Sequence, residues 1–207
     1  MSAEKGVRLF RPGVMVVLIG LLLCGSAFAN IVVAPPTVSG LGPFTWSYNA
    51  ILSGNSGGFT IQNAPANQQG TLIIYDFWGY IPGSEFAPSG WTFVGANSGP
   101  AIPGITPGTI VSGPDNAAVM NLAWVYTGAS AIVNAGPLDL LLGAFGANST
   151  STVAGQTEYA SQDYRNSLGT RAINSDATLA PLAPEPGSLF LLGGALFGVS
   201  LLRRKKT

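Results

Sequence analysis

Along the middle of the chain, apolar and polar residues alternate with a period of two. Phe44, Trp46, Tyr48, Ala50 and Leu52 alternate with Thr45, Ser47, Asn49 and Ile51, which predicts a strand with one aromatic face. Met120, Leu122, Trp124 and Tyr126 alternate with Asn121, Ala123, Val125 and Thr127, and residues 91–94 and 138–144 repeat the pattern. Residues 72–78 are apolar on both faces apart from Asp76, which predicts a central strand buried on each side. Weaker strand patterns lie at 109–112, 130–134, 156–159 and 172–179. The separators are turn formers such as Pro82-Gly83, Pro103-Gly104 and Gly113-Pro114-Asp115-Asn116. A helix over 156–165 competes with a strand there, and Thr157, Tyr159 and the flanking glycines favour strand or loop. Short strands with frequent turns predict an all-β domain, an antiparallel sandwich or jelly-roll-like. No internal repeat at a fixed period is evident, which argues against a solenoid or propeller.

Two segments depart from this pattern. Near the start, Lys5, Arg8 and Arg11 precede an apolar run over 14–23 and then Ala27-Phe28-Ala29. Basic region, apolar region and A-x-A site make a secretory signal peptide over 1–29, a signal helix cut by signal peptidase after Ala29. Cys24 follows Leu23, not the small residue that lipidation requires, so it leaves with the signal. Near the other end, Pro184-Glu185-Pro186 precedes an uncharged run over 187–202 and then Arg203, Arg204, Lys205 and Lys206 within the basic tail 203–207. As a helix, sixteen residues reach roughly 24 Å against a hydrocarbon core of about 30 Å. A short transmembrane helix is expected, its cations snorkelling on the cytoplasmic side of the inner membrane.

Between these ends lie residues 30–183, long enough for one extracytoplasmic domain with its own core. The net charge of the whole chain is zero, but most basic residues sit in the two end segments. Residues 30–183 hold seven carboxylates against Arg165 and Arg171, a net charge of −5. Without a basic patch, nucleic acid is not an expected partner.

Composition also excludes chemistry. The chain has no His, and residues 30–183 have neither Lys nor Cys. Ser-His-Asp and Cys-His sets, the usual zinc sites and disulfides therefore cannot be built. Gly54-Asn55-Ser56-Gly57-Gly58 fits G-x-S-x-G, but Ser56 lacks an ordinary base and a following apolar helix, so a loop is the reading. No cofactor and no enzymatic activity are expected.

Weaker candidates remain. Asp76 is read as an acceptor for backbone N–H groups, or as half of an acid–base pair with Glu85, Asp115 or Asp139. Asp115 and Asn116 offer oxygen ligands of the kind calcium takes, although such loops are usually turns. Asn148-Ser149-Thr150 is a glycosylation sequon read as a polar loop. The four tryptophans are read as core, with Trp91 the most exposed and a speculative contact for a glycan.

The segment 184–206 resembles the PEP-CTERM sorting domain of Gram-negative bacterial surface proteins: the Pro-Glu-Pro signal, the hydrophobic segment and the basic cluster agree in type, order and spacing. The resemblance implies recognition and cleavage by a membrane-embedded exosortase near Pro184, Glu185 and Pro186. It implies an inner-membrane-anchored precursor released to the cell envelope or extracellular matrix, in a family that accompanies exopolysaccharide production. The expected function is a structural or interaction protein; the alternatives are a lectin-like glycan-binding module and a carboxylate-dependent hydrolase.

Overall fold

The computed structural model describes residues 31–54, 57–65, 68–97, 102 and 115–183. The signal peptide, the sorting tail with its transmembrane segment, Ser56 and the expected strand at 109–112 lie outside the described residues. Among the described residues every regular element is a strand, and no helix is long and apolar enough to cross a membrane.

Among the described residues, eleven strands form two antiparallel sheets. In the smaller sheet, β3 (Phe44–Leu52) pairs along its whole length with β9 (Leu140–Ser149). Its other edge takes two short strands, β1 (Ile31–Val33) and β2 (Thr37–Ser39). The larger sheet is built on β10 (Ala154–Arg165), which pairs residue for residue with β11 (Thr170–Pro181). The opposite edge of β10 takes β5 (Thr71–Phe77) and β4 (Phe59–Ile61). Outside these, β7 (Met120–Tyr126) and β6 (Trp91–Phe93) extend from β5, and β8 (Ile132–Asn134) pairs with β4.

The inward residues of both sheets form one cluster, as a sandwich requires. The smaller sheet contributes Ile31, Trp46, Tyr48, Leu52 and Phe145, and the larger Phe59, Ile61, Leu72, Ile74, Phe77, Leu122, Trp124 and Tyr159. Burying such side chains removes roughly 1.5–3 kcal/mol each of exposed apolar surface from water. On the outer face of the larger sheet, Ile73, Tyr75, Ala123 and Ala160 pack with Ile102. That second cluster explains why β5 is apolar on both sides, as its sequence predicts.

Hydrogen bonds tie the layers where apolar packing alone would let them slide. The Tyr48 hydroxyl donates to the Leu179 carbonyl at 3.0 Å, and the Ser161 hydroxyl donates to the Ile31 carbonyl at 3.0 Å. The Trp46 indole N–H donates to the Ser151 carbonyl at 3.0 Å. The Asn134 amide reaches the carbonyls of Leu52, Ser53 and Leu138, joining three chain segments. With no cysteine in the domain, these bonds and the core carry its stability.

Several expectations change. The preference for strand over helix at 156–165 is not among them: the segment lies in strand β10, its polar residues buried or paired along the ladder. The sequon is not in a loop: Asn148 and Ser149 end strand β9, and the Asn148 side chain accepts a hydrogen bond from Thr45 at 2.8 Å. Trp78 lies just past β5, 38% exposed, whereas Trp46 and Trp124 are buried and Trp91 is partly buried.

One core position is costly. Asp163 is fully buried, and neither carboxylate oxygen has a hydrogen-bond partner among the described residues. Burial pushes its carboxyl up to about 8 from an ordinary 3.8, against the pull of the Arg165 guanidinium. Between about pH 4 and pH 8 the folded chain therefore holds a proton that the unfolded chain has lost. Stability falls as pH rises through that window, by up to about 1.4 kcal/mol per unit, and levels off above it. In urea unfolding, Asp163→Asn is expected to flatten this dependence and to stabilise the domain more at pH 8 than at pH 5.

Candidate functional site

The site grows from a defect in β5. Ile74 pairs with Leu122 and Phe77 with Met120, so Tyr75 and Asp76 together oppose the single residue Asn121. This is a β-bulge, a device that bends a strand and re-aims the side chains after it. Asp76 takes φ 53°, alone among non-glycine residues with positive φ in the described chain. Asp tolerates this left-handed region better than most residues, because its short side chain bonds locally. Its carboxylate accepts the Asn116 N–H at 3.0 Å.

Asn121 locks the bulge from the facing strand. Fully buried, it accepts the Asp76 N–H at 2.8 Å and donates its amide to Asp115 at 2.9 Å. Burial pushes the Asp76 carboxyl above its ordinary range, the Asn116 N–H opposes this, and the charge of Asp115 adds to the rise. Asp115 is thus the expected partner that the fold brings to Asp76. Glu85 and Asp139 are engaged elsewhere: Glu85 accepts the Tyr80 hydroxyl at 2.6 Å, and Asp139 accepts the Gly54 N–H at 2.8 Å. Asn116 turns its side-chain oxygen to the Ala118 N–H at 3.1 Å, as a turn residue does.

Past the bulge the chain turns sharply at Gly79, φ 65°, where a Cβ would meet the Thr150 hydroxyl oxygen at 2.3 Å. The turn throws Trp78 out of the sheet and brings Tyr80 back to bridge Ser149. Between them opens a groove of about 370 Å³, lined among others by Trp78, Tyr80, Asn97, Val119, Met120 and Thr150. Tyr80 is braced from beneath by rings: it lies 5.9 Å from Phe93, which lies 5.7 Å from the buried Trp124. Burial and the bond to Glu85 push the Tyr80 hydroxyl up to about 12. Burial would also raise Glu85, but the Tyr80 hydroxyl and the backbone N–H groups of Glu85 and Gly83 hold its carboxyl below the ordinary range.

Trp91, the residue singled out from sequence, lies elsewhere. Its ring packs edge-on against Tyr126 at 5.5 Å and Phe145 at 5.0 Å, and its indole nitrogen is buried without a partner among the described residues. It is more covered than Trp78, because Phe145 and Tyr126 close over its strand entrance. Sequence reading missed Trp78 because it ends a run, 72–78, that is apolar on both faces; Asp76, the one polar residue in that run, was the signal, since the bulge there ends β5 at Phe77. The groove presents an aromatic ring, aliphatic walls and neutral polar groups, a chemistry suited to binding. A smaller groove of about 220 Å³ lies between the β1 end and β11, lined mainly by Val33, Pro35, Ala177 and Leu179.

The last described residues lie beside this site. The Trp78 N–H donates to the Pro181 carbonyl at 3.1 Å, and the Leu182 N–H donates to the Val153 carbonyl at 2.7 Å. Residues 182–206 match the family model of the PEP-CTERM protein-sorting motif. No curated protein and no solved structure matches the chain. The motif therefore begins on the last residue but one of the described fold.

Asn121→Ala would leave the part-buried Asp76 N–H without its acceptor and free Asp115. An unfolding free energy lower by about 1–3 kcal/mol is expected in urea titration. Asp76→Gly, which accepts the left-handed backbone without strain, should cost less than half as much.

Proposed function

We propose that this chain, an exported protein carrying the PEP-CTERM sorting motif for exosortase, is a structural or interaction component of the cell envelope or extracellular matrix, linked to exopolysaccharide. The observation that carries the reading is the junction itself. An all-β domain runs without a spacer into a sorting motif, which supports reading the domain as cargo and the tail as its address. Signal peptidase acts at Ala27-Phe28-Ala29, and the inner membrane holds the precursor through residues 187–202 until the exosortase acts near Pro184-Glu185-Pro186. The domain itself has no enzymatic role in this reading. Asp76, Glu85, Asp115 and Asp139 serve as acceptors for turns, a side-chain amide and a tyrosine hydroxyl.

The Trp78 groove favours a second reading, a glycan-binding module. A half-exposed indole beside Asn97 and Thr150 offers a flat apolar face for a sugar ring and neutral groups for its hydroxyls. Trp78 replaces Trp91 as the residue on which that reading rests.

Mass spectrometry of the exported protein tests the sorting role. In cells with the exosortase the basic tail 203–207 should be missing, and in cells lacking the gene it should be present; an intact C-terminus in both would refute processing. For the glycan reading, Trp78→Ala should weaken retention on the cell's own exopolysaccharide about tenfold, the effect of losing roughly 1.4 kcal/mol. Equal retention would leave the structural role alone.

A further inference from the structure

We propose that the face around the chain exit, formed by Trp78, Val153 and Leu182, rests on the lipid headgroup layer while the precursor is anchored. The inference depends on the reading of residues 187–202 as a membrane anchor. Its first support is the absence of slack. Pro181 and Leu182 are both held by backbone hydrogen bonds, and the Leu182 side chain covers Gly155 so closely that a Cβ there would meet it at 2.0 Å. The domain is therefore fixed through Leu182.

From Leu182 to Gly187, where the uncharged run begins, the chain advances five residues. Fully extended, five residues reach at most about 18 Å. One headgroup layer occupies roughly 5–8 Å of that distance, the difference between a full bilayer and its hydrocarbon core shared by two leaflets. About 10 Å remains, less than the thickness of a packed pair of sheets. A domain so tethered keeps its exit within about 10 Å of the headgroup surface, so the face at that exit is the one placed to settle on the lipid.

That face has the composition the contact requires. Trp78 is 38% exposed, Val153 49% and Leu182 40%, and each lies within one backbone hydrogen bond of the exit. Indole rings prefer the membrane–water interface, where the apolar body and polar N–H are both accommodated. Asp76 and Asp115 lie close to the same turn, so the surface is suited to zwitterionic rather than anionic lipid.

The chain supplies its own reporter. Its four tryptophans are Trp46, Trp78, Trp91 and Trp124, and residues 184–207 contain none. The exported precursor, purified from cells lacking the exosortase, is reconstituted into phosphatidylcholine vesicles with or without brominated acyl chains. Co-flotation with the vesicles reports anchoring, and bromine quenching of indole emission reports contact of the domain. The expected result is co-flotation with quenching that falls at least threefold in Trp78→Phe. Val153→Asp keeps all four indoles and should lower the quenching at least twofold. Co-flotation without quenching, or quenching indifferent to both substitutions, overturns the proposal. Failure to co-float overturns the anchoring itself, and the proposal with it.

Discussion

The structure depends on how its last strand is held. β11 pairs with β10 over twelve residues, from Thr170 with Arg165 to Pro181 with Ala154. Tyr48 binds it from the smaller sheet through the Leu179 carbonyl, and Trp78 binds its final residue. A strand at a sheet edge ordinarily presents unpaired backbone groups and frays. Here the ladder continues to Pro181, the residue before the sorting motif begins, so the fold and the address share a boundary.

The same region concentrates the local irregularities. The bulge at Tyr75-Asp76, the left-handed turn at Gly79 and the bridge from Tyr80 to Ser149 all serve to bend the chain after β5 across the end of β9. Left-handed backbone at a non-glycine residue persists only when its surroundings over-determine it. Asn121 and Asn116 supply that determination from two directions. The outcome is an exposed indole, a groove and the chain exit within a few residues of one another. A glycan contact in the mature protein and a lipid contact in the precursor would use this face in turn.

Much of the sandwich is legible in the sequence because its long strands alternate without interruption. The boundaries of β3 coincide with the alternation from Phe44 to Leu52. β7 is legible for the same reason, and β5 is legible as a run apolar on both faces, up to the extra residue at the bulge. Beyond it, parity is lost, and Trp78 moves from an inferred core position to the surface. β10 is obscured because Ser161 and Asp163, polar residues, occupy its buried positions, one of them with a hydrogen bond to Ile31 and the other without a partner among the described residues. β1, β2 and β4 are three residues each, too short to show a period. The tail is the opposite case: its three elements are contiguous and carry their chemistry in order, so no folding is needed to read them, and the family model matches the same segment.

The central claim is that the domain is ordered up to the motif with no slack between them. Hydrogen exchange at single-residue resolution on the exported precursor tests it most directly. The Leu182 amide, bonded to the Val153 carbonyl, should exchange as slowly as the amides of the β10–β11 ladder. Exchange at the rate of an unstructured peptide from Thr178 through Leu182 would show that the last strand frays into a linker, and would contradict the account.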